Sequence, residues 1–287
     1  MSILITGSKG FIGKHLLTEL KNENHVSIEV NRDSYPDLKD EKIIDILPRC
    51  DNVIHLAAKI FSSELWNNPH LIYDNNINST LNMLEYSRRN GVDKFIFPST
   101  YVYGNSEKLP VDEDQPVKCM NPYCHSKIIC EELCKSYSRE YGIKVVILRF
   151  FNIYGPCQGA NRLIPDIISQ VGKKEIVLEN GSIKRDYIYI SDVVRSILCS
   201  LDYKKSDFEI FNIGSGESHS VYEIINLIQR NIDSTLTVSY KNEFRKNEIY
   251  ETKADISKAK RLLNWEPEVT MEEGLNRTLN YSLNKLW

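Results

Sequence analysis

The sequence predicts a doubly wound parallel α/β sheet, followed by a smaller mixed α/β unit, and three observations predict it. Short apolar runs alternate with amphipathic stretches through the first two-thirds of the chain. A glycine-rich turn joins the first run to the first helix, and the rhythm loosens after Gly155. Strands separated by helices pair in parallel, with helices covering both faces of the sheet. Right-handed crossovers then favour a doubly wound order.

The elements follow in order. Residues 2–6, carrying Ile3-Leu4-Ile5, form a strand, 11–23 a helix and 25–31 a second strand. Residues 52–57 are a strand, and 76–89 have the apolar spacing of an amphipathic helix. A strand at 95–97, a long helix at 123–141 and a strand at 144–149 complete the first domain. Pro156, Gly159 and Pro165 then punctuate a less regular region of short mixed elements. The expected division is a first domain over 1–155, with segments near 183–215 returning to it. Residues 156–287 are mainly a smaller domain closing over the mouth of the sheet. There is no internal repeat, and the tracts Asn67-Asn68 and Asn75-Asn76 are too short to be low complexity.

Composition excludes whole classes. With 287 residues, 41% hydrophobic and 26% charged, the chain is ordinary globular protein of about two domains. A net charge of -3 gives no electrostatic reason to invoke nucleic acid or an anionic membrane. No apolar run approaches the roughly 20 residues that a membrane-spanning helix needs. No basic segment precedes the first apolar strand, so no signal peptide is expected. Seven cysteines, an odd number spread from Cys50 to Cys199, read as reduced thiols in a cytoplasmic protein. Cys130 and Cys134, one helical turn apart, read as small apolar residues on a buried face; no metal is expected.

Thr6-Gly7-Ser8-Lys9-Gly10-Phe11-Ile12-Gly13 lies between the first strand and the first helix. A tight turn, close approach to a pyrophosphate and helix–strand packing each need a residue without Cβ, and the helix N-terminus presents free N–H groups. In that position the pattern is a dinucleotide-binding Rossmann turn. The second strand ends Glu29-Val30-Asn31-Arg32-Asp33. An acidic residue there accepts from a ribose 2′-OH, whereas an arginine suits a 2′-phosphate. Asn31 at the acidic position, Arg32 after it and Lys9 in the turn favour NADP(H). Asp33 turned inward would suit NAD.

Tyr123 and Lys127 stand four apart on one helix face. A phenol titrates near pH 10, and a neighbouring ammonium brings it toward the working range of a general base. Ser99-Thr100 ends a strand, on the sheet edge where ligands bind in open α/β folds, and offers a hydroxyl beside the tyrosine.

These segments resemble the extended short-chain dehydrogenase/reductases, specifically the nucleotide-sugar epimerase/dehydratase family. The resemblance also takes in His55-Leu56-Ala57-Ala58, Asn76-Ile77-Asn78-Ser79-Thr80 and Val102-Tyr103-Gly104. It continues through the segment from Arg149-Phe150-Phe151-Asn152 to Gly155-Pro156, Arg185-Asp186-Tyr187-Ile188-Tyr189, Phe211-Asn212-Ile213-Gly214-Ser215-Gly216, Ala254-Asp255-Ile256-Ser257 and Trp265-Glu266-Pro267. It implies that Tyr123 is the general acid/base, with Lys127 lowering its pKa and binding the nicotinamide ribose. It implies that Asp37 and Leu38 contact adenine, and that Leu56, Ala57, Ala58 and Asn76 border the cofactor. Asn152 would meet the sugar diphosphate of a nucleotide-linked sugar, and Arg185 would pair with its phosphates. Without the family, Arg185-Asp186 is a surface ion pair and Asn152 a turn cap. The helices around 81–88 and 128–137 resemble the pair that forms a homodimer interface in the family.

Two departures matter. The chain is one residue short between the strand and Val102-Tyr103-Gly104, so the catalytic hydroxyl is Thr100 counted along the strand, or Ser99 counted back from Val102. Thr100 is favoured, because deletions fall more easily in turns than in paired strands. The link from Asn31 to Asp37 is also short, as in the 4-ketoreductases rather than the 4-epimerases. Tyr101 and Val102 stand where the dehydratases carry an Asp-Glu pair and the decarboxylases a glutamate, so neither of those reactions is expected. Hydride exchange at C4 of the sugar remains. The favoured reading is an NADPH-dependent 4-keto-deoxysugar reductase, and the alternative is a 4-epimerase with bound NAD. A dinucleotide-sensing regulator is the non-enzyme alternative; it would need neither Tyr123 nor Lys127.

Overall fold

The computed structural model describes residues 1–60, 67–160, 162–171, 175–232, 237–244 and 247–283. Its centre is a six-stranded parallel sheet built from β1 (Ser2–Thr6), β2 (Val26–Val30), β3 (Asn52–His55), β4 (Lys94–Thr100), β5 (Lys144–Phe150) and β10 (Phe208–Ile213). The spatial order is β10-β5-β4-β3-β1-β2, so the chain runs one way from β1 to β2 and then crosses back to β3. The reversal lies between β1 and β3, and a crevice opens there at the C-terminal strand ends.

Alternation along the strands divides the core between two faces. Ile3, Ile5, Ile54, Ile96 and Leu148 pack with Leu16 and Leu20 of α1 (Phe11–Asn22) and with Val193 and Ile197 of α6 (Ile190–Asp202). Leu4, Val53, Phe95, Phe97 and Ile147 pack on the other face. Their partners include Met83 of α3 (Pro69–Asn90) and Cys130 and Cys134 of α4 (Pro122–Tyr141). The short α2 (Ile43–Ile46) lies on this side through Ile43 and Ile44.

The helix expected from residue 76 starts seven residues earlier, at Pro69. Proline fits a first helical turn, where its missing N–H costs nothing. The long helices α3 and α4 both stop at a left-handed glycine, Gly91 and Gly142. Lys94, buried at the start of β4, closes the end of α6: its Nζ donates to the carbonyls of Ser200 at 3.1 Å, of Tyr203 at 2.6 Å and of Leu201.

After β5 come β6 (Asn152–Tyr154), α5 (Leu163–Ile168), β7 (Ile176–Leu178), β8 (Lys184–Arg185) and β9 (Tyr187–Tyr189). After β10 come β11 (His219–Ser220), α7 (Val221–Arg230), β12 (Val238–Tyr240), α8 (Ser257–Leu263) and α9 (Met271–Leu283). The short strands form three two-stranded pairs, β6 with β9, β7 with β12 and β8 with β11. Among the described residues, no helix is long and apolar enough to cross a membrane.

Candidate active site

At the switch point the turn after β1 has no room for a side chain at Gly7 or Gly13. Gly7 has φ +69°, and a Cβ there would stand 2.8 Å from the Ala57 nitrogen. A Cβ on Gly13 would come within 2.5 Å of the Gly7 and Ser8 carbonyl oxygens. The helix that follows is capped by Gly10 without a side-chain hydrogen bond, so the first-turn N–H groups of Phe11, Ile12 and Gly13 have no capping side chain. That turn borders a cavity of about 360 Å³. Gly7 and Gly10 line it after β1, Asn31 and Arg32 after β2, and Leu56, Ala57 and Ala58 after β3; Asp37, Leu38 and Asn76 complete the side walls. A close backbone cradle, an open helix N-terminus and a mostly apolar cleft fit a dinucleotide with its diphosphate at the turn.

At the end of β2 the side chains are partly engaged with one another. Asn31 Oδ1 accepts from the Asp33 N–H at 3.1 Å and from the Ser34 hydroxyl at 3.5 Å. Asp33 pairs with Lys9, and both side chains are largely exposed at the cavity rim. Arg32, exposed, borders the same cavity.

Asn76 is a brace as well as a wall. Its amide exchanges hydrogen bonds with the Lys59 backbone at 2.7 and 3.0 Å and donates to Ser126 Oγ at 2.9 Å, tying the segment after β3 to α3 and α4. Beneath it, His55 lies buried between Thr6 Oγ1 at 2.8 Å and Thr80 Oγ1 at 3.2 Å. Thr6 Oγ1 in turn accepts from the Ala57 N–H at 3.1 Å. Burial pushes the His55 imidazole down to about 3, so it is neutral.

The two candidate hydroxyls at the end of β4 face different partners. Thr100, half-buried, lies beside the Tyr123 phenol and favours its ionised form. Ser99, buried, donates instead to Glu131 of α4. Burial pushes the Tyr123 phenol up to about 12, and the charge of Arg162 works against that rise. Lys127 is buried one turn along, with Nζ donating to the Pro98 carbonyl at 2.6 Å and lying 4.4 Å from the centre of the Phe97 ring.

A buried network behind this pair was invisible in the sequence. Arg149 of β5 grips Glu131 with Nη2 at 2.7 Å and Nε at 3.2 Å, and its Nη1 donates to the Tyr103 hydroxyl at 2.8 Å. Tyr103 donates onward to Asn212 Oδ1 at 2.7 Å, and the Asn212 N–H donates to Glu113 Oε1 at 2.7 Å. The only local sign was an arginine in an otherwise apolar strand, since a buried charge needs a partner.

Arg185 and Asp186 do not form the surface ion pair that is one reading of their adjacency. Asp186 is fully buried and accepts from the N–H groups of Ser215, Gly216 and Ala254. Arg185 pairs with Glu248, a residue not singled out in the sequence, at 2.8 Å with both side chains largely covered. Asn152 begins β6, its N–H donating to the Asp186 carbonyl at 3.0 Å. Tyr101 donates to the Gly104 carbonyl at 2.7 Å, and Val102 is fully buried.

The fold and site define a dinucleotide-dependent enzyme class built on a Rossmann sheet. The chain belongs to the NAD dependent epimerase/dehydratase family, whose sequence model matches residues 3–214. It is 37% identical to a UDP-glucuronate 4-epimerase of Thermodesulfobacterium geofontis, over 80% of this chain and 72% of that one. It is 31% identical to the dTDP-4-dehydro-6-deoxyglucose reductase of Escherichia coli, with 96% of each chain covered. The crystal structure of a Thermotoga maritima UDP-glucose 4-epimerase with UDP-glucose superposes with a TM-score of 0.91, 31% identity and full coverage of both chains. The chain is an enzyme acting on a nucleotide sugar.

Proposed function

We propose that this enzyme is a nucleotide-sugar 4-epimerase using bound NAD, with Thr100, Tyr123 and Lys127 at its centre. The observation that carries the proposal is the placing of Thr100 beside Tyr123 at the C-terminal end of β4, followed by two side chains without a carboxylate. Such a site moves one proton at a hydroxyl-bearing carbon, and Tyr101 and Val102 supply no second acid to eliminate water or assist decarboxylation. Relatives named as UDP-sugar 4-epimerases support the epimerase over the reductase favoured by the sequence, and the family's NAD dependence supports that cofactor.

When bound, the nicotinamide supplies a hydride acceptor that also gives the hydride back. The residues of the chain do the rest. Thr100 holds the sugar hydroxyl against the phenol, and Tyr123 takes its proton and later returns it. Lys127, fixed by the Pro98 carbonyl, would hold the nicotinamide ribose. The buried phenol is neutral at pH 7, so it needs cationic neighbours to act as a base. Arg185 and Asn152 bind the diphosphate, with residues 156–287 forming most of the sugar-nucleotide site.

The reductase remains a second reading because Asn31 and Arg32 border the cavity where a carboxylate would favour NAD. The test is to denature the purified protein, identify any released dinucleotide, and incubate the native protein with UDP-glucose, UDP-glucuronate and a 4-keto-6-deoxy sugar nucleotide. Retained NAD and a C4-epimerised product by NMR, with no net cofactor turnover, support the epimerase. Stoichiometric NADPH consumption with the keto sugar overturns it in favour of the reductase.

A further inference from the structure

Past Ile96, β4 outruns β3: those two strands pair from Asn52 with Lys94 to Ile54 with Ile96, while β5 stays beside β4 as far as Thr100. Along this stretch α4 engages β4 one helical turn at a time. The Lys127 ammonium meets the Phe97 ring and the Pro98 carbonyl, and one turn on the Glu131 carboxylate accepts from the Ser99 hydroxyl. A proline is tolerated where a strand has lost one neighbour, and its carbonyl serves Lys127 instead.

Ser99 and Arg149 face each other in the β4–β5 register, and both grip the same carboxylate. Arg149 donates to Glu131 from Nη2 at 2.7 Å and from Nε to each oxygen at 3.2 Å. Its Nη1 donates to the Tyr103 hydroxyl at 2.8 Å, so the guanidinium cannot turn without losing a partner. The Arg149 and Glu131 side chains are 6% and 5% exposed, so water cannot stand in for either one.

We propose that Glu131 is a positioning residue: held by Ser99 and Arg149, it fixes α4 along β4 and β5 and so sets the places of Lys127 and Tyr123. Tyr123, Lys127 and Glu131 follow at four-residue intervals on one helix face, so the carboxylate anchors the row that carries the other two. A buried ion pair adds little net stability over apolar residues of similar volume, because desolvating two charges offsets their attraction. What it adds is direction. A forked guanidinium and a hydroxyl from the next strand admit one placement of the carboxylate. A displacement of about 1 Å at the reacting groups costs on the order of 100-fold in rate. This role for Glu131 rests on the reading of Tyr123 and Lys127 as the reacting centre.

The test compares Glu131→Gln, Tyr123→Phe and the double variant Glu131→Leu with Arg149→Met in the full chain. The substrate is whichever of UDP-glucose, UDP-glucuronate and the 4-keto-6-deoxy sugar nucleotide the parent turns over. Glu131→Gln leaves Arg149 buried without its counter-charge, so the urea midpoint should fall; replacing both residues should bring it back toward the parent's. Turnover should not follow. In the double variant kcat should stay at least tenfold down, with KM within twofold of the parent's. NADH should bind it at least threefold more weakly by fluorescence titration, while ADP, which lacks the ribose that Lys127 would hold, binds as in the parent. Added to Tyr123→Phe, the double substitution should lower kcat less than threefold, because its effect runs through the row on α4.

Parent-like kcat in the double variant at a recovered midpoint overturns the positioning role alone and leaves the pair structural. A full tenfold loss on top of Tyr123→Phe overturns it as well. Full turnover by Tyr123→Phe overturns the reading of the reacting centre, and the role of Glu131 with it. Should the double variant not fold, Glu131→Gln assayed without urea decides: a tenfold fall in kcat at unchanged KM supports the role, and parent-like kcat overturns it.

Discussion

The Thr100 side chain lies beside the Tyr123 phenol, while the hydroxyl of adjacent Ser99 points away into the Glu131–Arg149 ion pair. Successive side chains on a strand leave on opposite sides, so one position along β4 separates the proposed reacting centre from the buried ion pair. Loss of the two hydroxyls should therefore be read out differently.

Thr100→Ala should lower kcat on the order of 100-fold with little change in stability, and Tyr123→Phe should lower it further. Ser99→Ala removes a donor from a buried carboxylate and should cost about 1.5–3 kcal/mol of stability, with a smaller kinetic effect. Steady-state turnover and urea unfolding on the three variants check this. Equal kinetic losses at positions 99 and 100 would contradict the assignment.

His55 should make the fold sensitive to acid. Its folded pKa, about 3, lies below the ordinary 6.5, so the unfolded chain binds the proton more readily. The contribution is full above pH 6.5 and is lost as pH falls toward 3. Between pH 6.5 and 4.5 the loss is about 2–3 kcal/mol. His55→Asn should lose less stability than the parent between pH 7.5 and 4.5, by urea unfolding at the two values.

Lys94→Met should detach the C-terminal end of α6 from β4. The three carbonyls of Ser200, Leu201 and Tyr203 would lose their shared donor. Charged hydrogen bonds and the helix dipole are lost, offset partly by relief of a buried charge, for a net cost of about 2 kcal/mol. The urea midpoint should fall at unchanged slope, and amide exchange along α6 should quicken.

At high pH several buried phenols should resist ionisation until the fold fails. Tyr103, Tyr123 and Tyr187 are each pushed up to about 12, with burial the first cause. The neutral phenol is thus favoured in the folded chain: that contribution is full below pH 10 and lost as pH rises through 12, up to about 2.7 kcal/mol for each. Phenolate absorbance at 295 nm should rise in two stages, exposed tyrosines near pH 10 and the buried ones together with loss of helical circular dichroism. A single smooth titration centred at 10 would refute it.

Much of this enzyme was written in local pattern. The apolar runs determined the strands, because a buried parallel strand must be apolar on both faces, and Gly7 and Gly13 marked the turn, because only glycine fits there. The four-residue spacing of Tyr123 and Lys127 set them on one helix face before any fold was known. The tertiary structure alone decided which hydroxyl at the end of β4 lies beside Tyr123, that Lys127 is held by the Pro98 carbonyl, and that Arg149 is paid for by Glu131 and Tyr103. It likewise paired Arg185 with Glu248, 63 positions away, and brought β10 beside β5. Periodicity and turn chemistry act over a few residues and can be read along the chain. Hydrogen-bond partners across strands are set by register and packing, which exist only once the sheet has formed.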